Sequence, residues 1–174
     1  NPKAGDQNPV EWSRSVARIA EILRARQPRA ILFPHDRDWN STHIGTHHLV
    51  ADALKQLGCG FDCYTVETEF WGAMEDPNLM VEISEQDLAD LITALTFHVG
   101  ELRRNPYHLR LPAWMIDNVR RGGELVGGQG GATPEFTFAT LYRLRRWMGG
   151  QFRAVLPKGR FLAVSESPAE LFAE

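Results

Sequence analysis

Two hydrophobic patterns alternate along the first half of the chain. Apolar residues recur at helical spacing in two stretches, and each is followed by a short run rich in apolar, aromatic or β-branched residues. Pro9 suits the first turn of the first helix, and Gln27-Pro28 ends it, because the residue before a proline disfavours helical geometry. These patterns predict helix, strand, helix and strand over residues 9–26, 30–33, 44–57 and 61–70.

The second half of the chain continues with the same two element types. Ser84 and Asp87 form a capping-box-like start for one helix, and Pro106 ends that region. Residues 136–147 carry apolar side chains without a clean period, and we predict a helix there. The remaining patterns predict strand, helix, helix and strand over residues 80–83, 84–99, 111–121 and 161–164.

The alternation of helices and strands predicts an α/β fold with a Rossmann-like, mostly parallel sheet flanked by helices. We expect residues 1–174 to form a single domain. The number of strands is small for a complete doubly wound sheet, and the chain begins at Asn1 without a methionine. We therefore expect the fold to be incomplete, with its N-terminal part in a segment that precedes Asn1.

Composition and charge narrow the range of functions. The net charge of −3 argues against a nucleic-acid partner, because surfaces that bind nucleic acids are usually strongly basic. No apolar run approaches the roughly 20 residues that a membrane-spanning helix needs, so we expect no membrane span. Cys59 and Cys63 are not spaced like the ligands of a zinc knuckle, and two reduced thiols there suit a cytoplasmic protein. A disulfide between them is the alternative.

The densest polar chemistry follows the first predicted strand. Four of the six histidines lie within residues 31–53, and ligands in open α/β sheets bind beyond the carboxyl ends of the strands. His43 and His47 are four residues apart on the predicted helix, which makes them a plausible zinc half-site, although no glutamate lies between them. Asp38 and Asn40 suit the orientation of a ligand or a water molecule, or they form their own turn.

Two segments resemble a known family. The run PHDRDWNSTHIGTHHLVADAL, residues 34–54, resembles the second signature of the LmbE-like (PIG-L) metal-dependent N-deacetylases. In that family a strand ends in a short polar motif, whose final histidine binds zinc and begins a helix. Residues 94–100, ALTFHVG, resemble the later helix of the family, which also carries a histidine. The resemblance covers roughly residues 10–140.

The resemblance implies that His43 is a ligand of Zn²⁺. Asn40 falls where many family members carry a histidine that stabilises an oxyanion or moves protons. Thr42 falls where many carry an aspartate, and Asp38 is the candidate to replace that carboxylate. These departures from the family pattern bear directly on catalysis.

Four further residues complete the predicted site. His47 is expected either to bind the metal or to contact a residue that binds it. His98 is a candidate for oxyanion stabilisation, with a hydrogen-bonded core histidine as the alternative. Arg37 and Tyr107 are candidates for contact with the substrate, and Tyr107 could instead lie on the surface.

The resemblance implies removal of an N-acetyl group from an amino sugar or its conjugate, and family members often form homo-oligomers. The first signature of the family, which supplies two zinc ligands and the catalytic aspartate, is not found in these residues. We therefore expect it to precede Asn1, and we expect this chain alone to be inactive. One alternative is a non-catalytic module of the same fold that binds a carbohydrate or an anion. Another is a partner-binding surface built on the five tryptophans.

Overall fold

The structure, a computed structural model, describes residues 8–172. Its helices are α1 (Pro9–Arg26), α2 (Ser41–Leu57), α3 (Glu85–Thr96), α4 (Val99–Arg104) and α5 (Tyr107–Leu125). Its strands are β1 (Ala30–Pro34), β2 (Cys63–Thr68), β3 (Leu79–Ile83), β4 (Phe138–Met148), β5 (Gln151–Ala154) and β6 (Arg160–Leu162). Short 3-10 turns occupy Gly58–Gly60 and Pro168–Phe172. None of the helices in the described part of the chain has the length and apolar character needed to cross a bilayer.

The described residues divide into two compact units. The first contains the residues up to Asp76 together with Tyr142–Pro157, and the second contains Pro77–Leu141 and the residues from Lys158 onward. Strand β4 begins in the second unit and ends in the first. The strands follow the order β1-β2-β4-β3-β6, and β5 pairs with β4.

The predicted α/β class is confirmed, as a mixed open sheet flanked by helices. Strands β1 and β2 are parallel, as are β3 and β6, whereas β4 pairs antiparallel with both β2 and β5. The Rossmann-like parallel character is therefore present only in part. The β4–β5 hairpin turns at Gly149-Gly150, where φ is 64° and 79°. Glycine adopts these left-handed angles without steric cost, which permits the tight antiparallel connection.

The core of the first unit lies between α1, α2 and the strands. Helix α1 begins after Asn8, whose side chain accepts the Glu11 backbone N–H at 3.2 Å, and Pro9 occupies its first turn. The indole of Trp12 donates to Asp52 at 3.1 Å and joins α1 to α2. The buried residues of this core are Val16, Ala20, Leu23, Ala53, Leu54, Phe61, Cys63 and Trp147.

In the second unit, α5 packs closely against strand residues. The helix predicted over residues 111–121 is longer in the structure, because it begins at Tyr107 and continues past Gly122 to Leu125. A Cβ atom at Gly122 would lie 2.9 Å from Leu141 Cδ2 and still closer to Met80 Sδ. The glycine at position 122 therefore allows α5 to pack closely against Met80 and Leu141, and it does not mark the end of the helix. The buried residues of this core are Met80, Val119, Val126, Ala139 and Leu141.

Helix α3 is shorter than its apolar pattern predicts. Ser84 caps it as predicted, because its hydroxyl oxygen accepts the Asp87 backbone N–H at 3.0 Å. The helix ends at Thr96, and a separate short helix, α4, begins after His98. The prediction that His98 lies on a continuous helix is wrong, since its φ of −85° and ψ of 59° interrupt the helical backbone.

Strand β4 replaces the helix predicted over residues 136–147, and that prediction is wrong. Arg143 and Arg145 occupy positions that a half-buried strand would normally fill with apolar residues, so the sequence shows no clean period. Glu67 of β2 lies opposite Arg143 in the antiparallel register, and this charge pairing explains the arginine. The residues that alternate onto one face of β4 are Ala139, Leu141, Arg143, Arg145 and Trp147.

Candidate functional site

The segment that leads from β1 into α2 frames the candidate site. β1 ends at Pro34, and α2 begins at Ser41 after its N-cap residue, Asn40. The predicted order of strand, polar loop and helix is confirmed. Asn40 Oδ1 accepts the Thr42 backbone N–H at 2.8 Å, which satisfies a helix amide that has no partner within the helix. This cap uses only the Oδ1 atom of Asn40, so the Nδ2 group of Asn40 takes no part in capping the helix.

Two loops meet at this end of the first unit, the β1 loop (residues 35–40) and the β2 loop (residues 69–76). His35 is buried between them, where its Nε2 donates to the Gly72 carbonyl oxygen at 2.8 Å and its Nδ1 accepts the Arg37 backbone N–H at 3.3 Å. The exposed side chain of Arg37 pairs with Glu75 of the β2 loop. His35 therefore has a structural role, while Arg37 lies at the surface.

Asp38 links the same two loops through hydrogen bonds. Its buried carboxylate accepts backbone N–H groups from Asn40 at 2.8 Å, Trp71 at 3.0 Å and Gly72 at 3.3 Å. Burial acts to raise the pKa of Asp38, but these hydrogen bonds and the contact with His43 outweigh it, so the pKa lies below its ordinary value. Asp38 is therefore an ionised carboxylate at neutral pH, held in place by three amides.

His43 lies in the first turn of α2, next to this carboxylate. Its buried Nδ1 is 3.2 Å from Asp38 Oδ1, an ion-pair distance without the geometry of a good hydrogen bond. Its ring centroid is 4.8 Å from that of Phe70. The side chain is 23% exposed, and because Nδ1 is buried, the exposed part belongs to its other atoms.

A candidate metal-binding triad lies in the first unit and consists of Asp36, His47 and Glu67. Each residue offers one ligand atom, and these atoms lie within 4.8 Å of one another. Asp36 follows β1, His47 lies on α2, and Glu67 lies on β2. Glu67 is completely buried and was not predicted as a site residue. A charged residue within an otherwise buried strand is the sequence signal that could have identified it.

His47 is held in a single tautomer by its surroundings. Its Nδ1 lies 3.1 Å from the Pro34 carbonyl oxygen and 3.9 Å from Glu67 Oε2. Because a carbonyl oxygen can only accept, Nδ1 carries the proton and Nε2 keeps its lone pair. Burial lowers the pKa of His47, and the nearby negative charge of Glu67 only partly offsets this effect. His47 is therefore neutral at pH 7, the form in which histidine binds metals.

Two arginines of β4 pair with the carboxylates of the triad. Arg143 donates to Glu67 at 2.9 Å, to Asp36 at 2.7 Å and to both oxygens of Asp76 at 2.8 Å. Arg145 pairs with the second oxygen of Glu67. Burial acts to raise the pKa of Asp36, but the hydrogen bond and charge of Arg143 outweigh it, so the pKa lies below its ordinary value. Both carboxylates of the triad are thus already engaged by guanidinium groups.

The two remaining predicted site residues lie in the second unit. His98 is exposed at the N-terminus of α4, and its side chain does not cap that helix. The Tyr107 hydroxyl accepts a hydrogen bond from Asn105 at 3.3 Å, and its ring centroid is 6.3 Å from that of Trp114. The catalytic role of His98 and the substrate contact of Tyr107 stay predictions. By contrast, Asp38 and His43 are in direct contact.

The two loops also carry three large, exposed aromatic side chains. Trp39 of the β1 loop is 81% exposed, and Phe70 and Trp71 of the β2 loop are 59% and 44% exposed. Large apolar side chains that cluster at a surface commonly mark a site of interaction. The hydrophobic pattern did not single them out, because surface aromatic residues have no periodic signature.

Comparison with known proteins gave no match to a family model, to a curated protein or to a solved structure. The resemblance to the LmbE-like deacetylases therefore depends on the sequence motifs alone.

Proposed function

We propose that this chain contributes to the active site of a zinc-dependent hydrolase that removes an N-acetyl group from an amino sugar or its conjugate. The observation that carries this proposal is the contact of His43 with the buried carboxylate of Asp38 beyond the end of β1. Metal-binding histidines commonly direct one ring nitrogen at a carboxylate and bind the metal through the other. The motif resemblance identifies the same histidine.

The state of Asp38 supports this assignment. An ionised carboxylate offers only acceptor atoms, so it favours His43 with its proton on Nδ1, facing the carboxylate, and a lone pair on Nε2. Three backbone amides hold the carboxylate, and it therefore orients the ring of His43 in advance. Asp38 acts in this proposal as a positioning residue, and His43 Nε2 is the metal ligand.

The triad has donor types that suit zinc, but its surroundings favour His43 as the ligand. A metal bound by Asp36 and Glu67 would have to displace Arg143 from both carboxylates. The guanidinium would then lose two of its three carboxylate partners in a largely buried place and keep only Asp76, which is costly. A catalytic zinc site uses three protein ligands, so His43 would need two further ligands to complete it.

Among the residues of this chain, Asn40 is the candidate for stabilising the transition state. Zinc, when bound, supplies Lewis acidity that polarises an amide carbonyl and makes water a stronger nucleophile. Because the oxygen of Asn40 caps α2, its Nδ2 group can donate to negative charge that develops on the carbonyl oxygen. The loss of one such donor typically lowers kcat by about 100- to 1000-fold.

The test replaces His43 by Ala in the full-length protein and measures zinc content and deacetylase activity. We expect both to fall sharply, whereas His48→Ala, on the same helix and with the same loss of an imidazole, retains both. Asp38→Asn should weaken zinc binding by about 10- to 100-fold, as the loss of a partner behind a metal ligand does. Unchanged zinc content and activity in His43→Ala would refute the assignment.

A non-catalytic module that binds a carbohydrate or an anion is the second candidate. The pairing of Asp36 and Glu67 with Arg143 and Arg145 favours it, because these carboxylates, which with His47 could hold a metal, are already neutralised by guanidinium groups. Metal analysis of the purified full-length protein separates the two functions. Zinc near one equivalent supports the hydrolase, and a metal-free protein that still binds sugar supports the module.

A further inference from the structure

We propose that Trp39, Phe70 and Trp71, here called the aromatic subsite, stack against the pyranose ring of a carbohydrate ligand beside His43. The choice of an acetamido sugar rests on the proposed function, whereas the stacking role is independent of hydrolysis. The subsite would hold the ring of the ligand and leave its acetamido group next to His43.

The exposure of these side chains is the first argument. Trp39 and Phe70 are 81% and 59% exposed, although each offers a large apolar surface whose burial would be favourable. Leu32, on the strand that leads into the β1 loop, is also 67% exposed. An apolar surface of this kind gains free energy when a ligand covers it.

The rigidity of the two loops is the second argument. Asp38 accepts the backbone N–H groups of Trp71 and Gly72, and His35 donates to the Gly72 carbonyl oxygen. A Cβ atom at Gly72 would lie 3.0 Å from the Trp39 backbone nitrogen, so the loops touch at the aromatic subsite itself. Because the backbone is fixed before binding, a ligand loses little free energy in ordering these loops.

The position of Phe70 joins the aromatic subsite to the proposed metal ligand. Its ring centroid lies 4.8 Å from that of His43, with an interplanar angle of 50°. A ring stacked on the aromatic surface would therefore place a substituent within reach of His43. This position suits a ligand whose reactive group is attached directly to a ring.

The polar groups on the same loops favour a sugar over an aromatic ligand. Arg37 and Glu75 pair with each other, and their side chains are 66% and 71% exposed. A pyranose has flat patches of C–H groups and a rim of hydroxyls, so it can use the aromatic surface and these charged groups together. A wholly aromatic ligand has no hydroxyl groups for them.

The experiment measures binding of N-acetylglucosamine to the full chain by isothermal titration and saturation-transfer NMR. N-acetylethanolamine serves as an acyclic acetamide, and N-acetylbenzylamine as an aromatic one. We expect the sugar to bind more tightly than either, and Phe70→Leu or Trp39→Leu to weaken it by about 3- to 10-fold. Phe70→Tyr should retain binding, since it keeps the ring. Phe97→Leu, which alters an 82% exposed aromatic residue of the second unit, is the matched control and should change nothing.

The outcomes separate this inference from the proposed function. Sugar binding that depends on Phe70 and persists in His43→Ala supports the aromatic subsite even if the protein proves to lack zinc and activity. Equal affinity of wild type and Phe70→Leu for the sugar would overturn it, even in an active zinc enzyme. Tighter binding of N-acetylbenzylamine, or no measurable binding of the sugar, would overturn the assignment to a pyranose.

Discussion

Replacement of Arg143 by Met should strongly destabilise the first unit. The side chain of Arg143 is 11% exposed, and that of its partner Glu67 is 0% exposed. Methionine preserves much of the volume of arginine but leaves the buried Glu67 with Arg145 as its only guanidinium partner among the described residues. Removal of one member of a buried ion pair costs about 3–5 kcal/mol. Because Arg145 remains, we expect a loss near the lower limit, about 3 kcal/mol.

Arg146→Met is the matched control on the same strand. Arg146 donates to both oxygens of Asp62 at 2.7 and 2.9 Å, so its pairing geometry is as good as that of Arg143. Its side chain is 25% exposed and that of Asp62 is 43% exposed, and solvent therefore screens the pair. Partly exposed pairs of this kind contribute about 0–1 kcal/mol.

Urea unfolding followed by tryptophan fluorescence measures the difference between the two variants. Four of the five tryptophans, at positions 12, 39, 71 and 147, lie in the first unit and report on it. With an m-value of about 1–3 kcal/mol/M, Arg143→Met should lower the urea midpoint by about 1–3 M, and Arg146→Met by about a third of that shift or less. Equal shifts for the two variants would show that burial of Glu67 does not set the strength of this network.

Three further predictions follow from the loops and the cysteines. The pKa of Asp38 lies below its ordinary value of 3.8. The stability that the ionised carboxylate contributes is therefore fully present above pH 3.8 and is lost as the pH falls through the lowered pKa. The difference in unfolding free energy between wild type and Asp38→Asn should shrink below pH 3.8. Gly72→Ala should cost about 1–3 kcal/mol in chemical unfolding, because its Cβ would lie 2.9 Å from the Asp38 Cα, whereas Gly60→Ala, which meets open space, should cost less. Burial raises the pKa of the Cys63 thiol to about 12, whereas Cys59 is exposed. A thiol reagent should therefore label one cysteine in the folded chain and two after unfolding. Two rapidly labelled thiols in the native protein would contradict this prediction.

The local elements of the first unit could be predicted from sequence because each depends on neighbouring residues. Pro9 at the start of α1 and the apolar run of β1 are short-range signals, and both elements lie where the pattern places them. The polar segment after β1 also lies where the pattern places it, between a strand and a helix. For Asp38 and Asn40 the sequence allows either a ligand-orienting or a turn-forming role, and the structure shows turn-forming and capping hydrogen bonds.

The arrangement of charges across the sheet could not be predicted in the same way. Arg143 and Glu67 are 76 residues apart, and a single sequence does not indicate which strands are neighbours. Arg143 and Arg145 also explain why the sequence does not predict β4, because they break the alternation of apolar and polar residues that identifies a strand. A similar limit applies to Gly122, where only the position of Met80 and Leu141 explains the absence of a side chain.

The network around Arg143 has a consequence for how the protein matures on the ribosome. Arg143 and Asp36 are 107 residues apart, so β1, α2 and β2 leave the ribosome long before their partner on β4. Until then Glu67 has neither guanidinium, and burial of an unpaired carboxylate is strongly unfavourable. The nascent first unit therefore cannot close over Glu67 early. The ion-pair network of Glu67 is completed only when the chain has been synthesised beyond β4, and a fragment that stops before this strand should lack it.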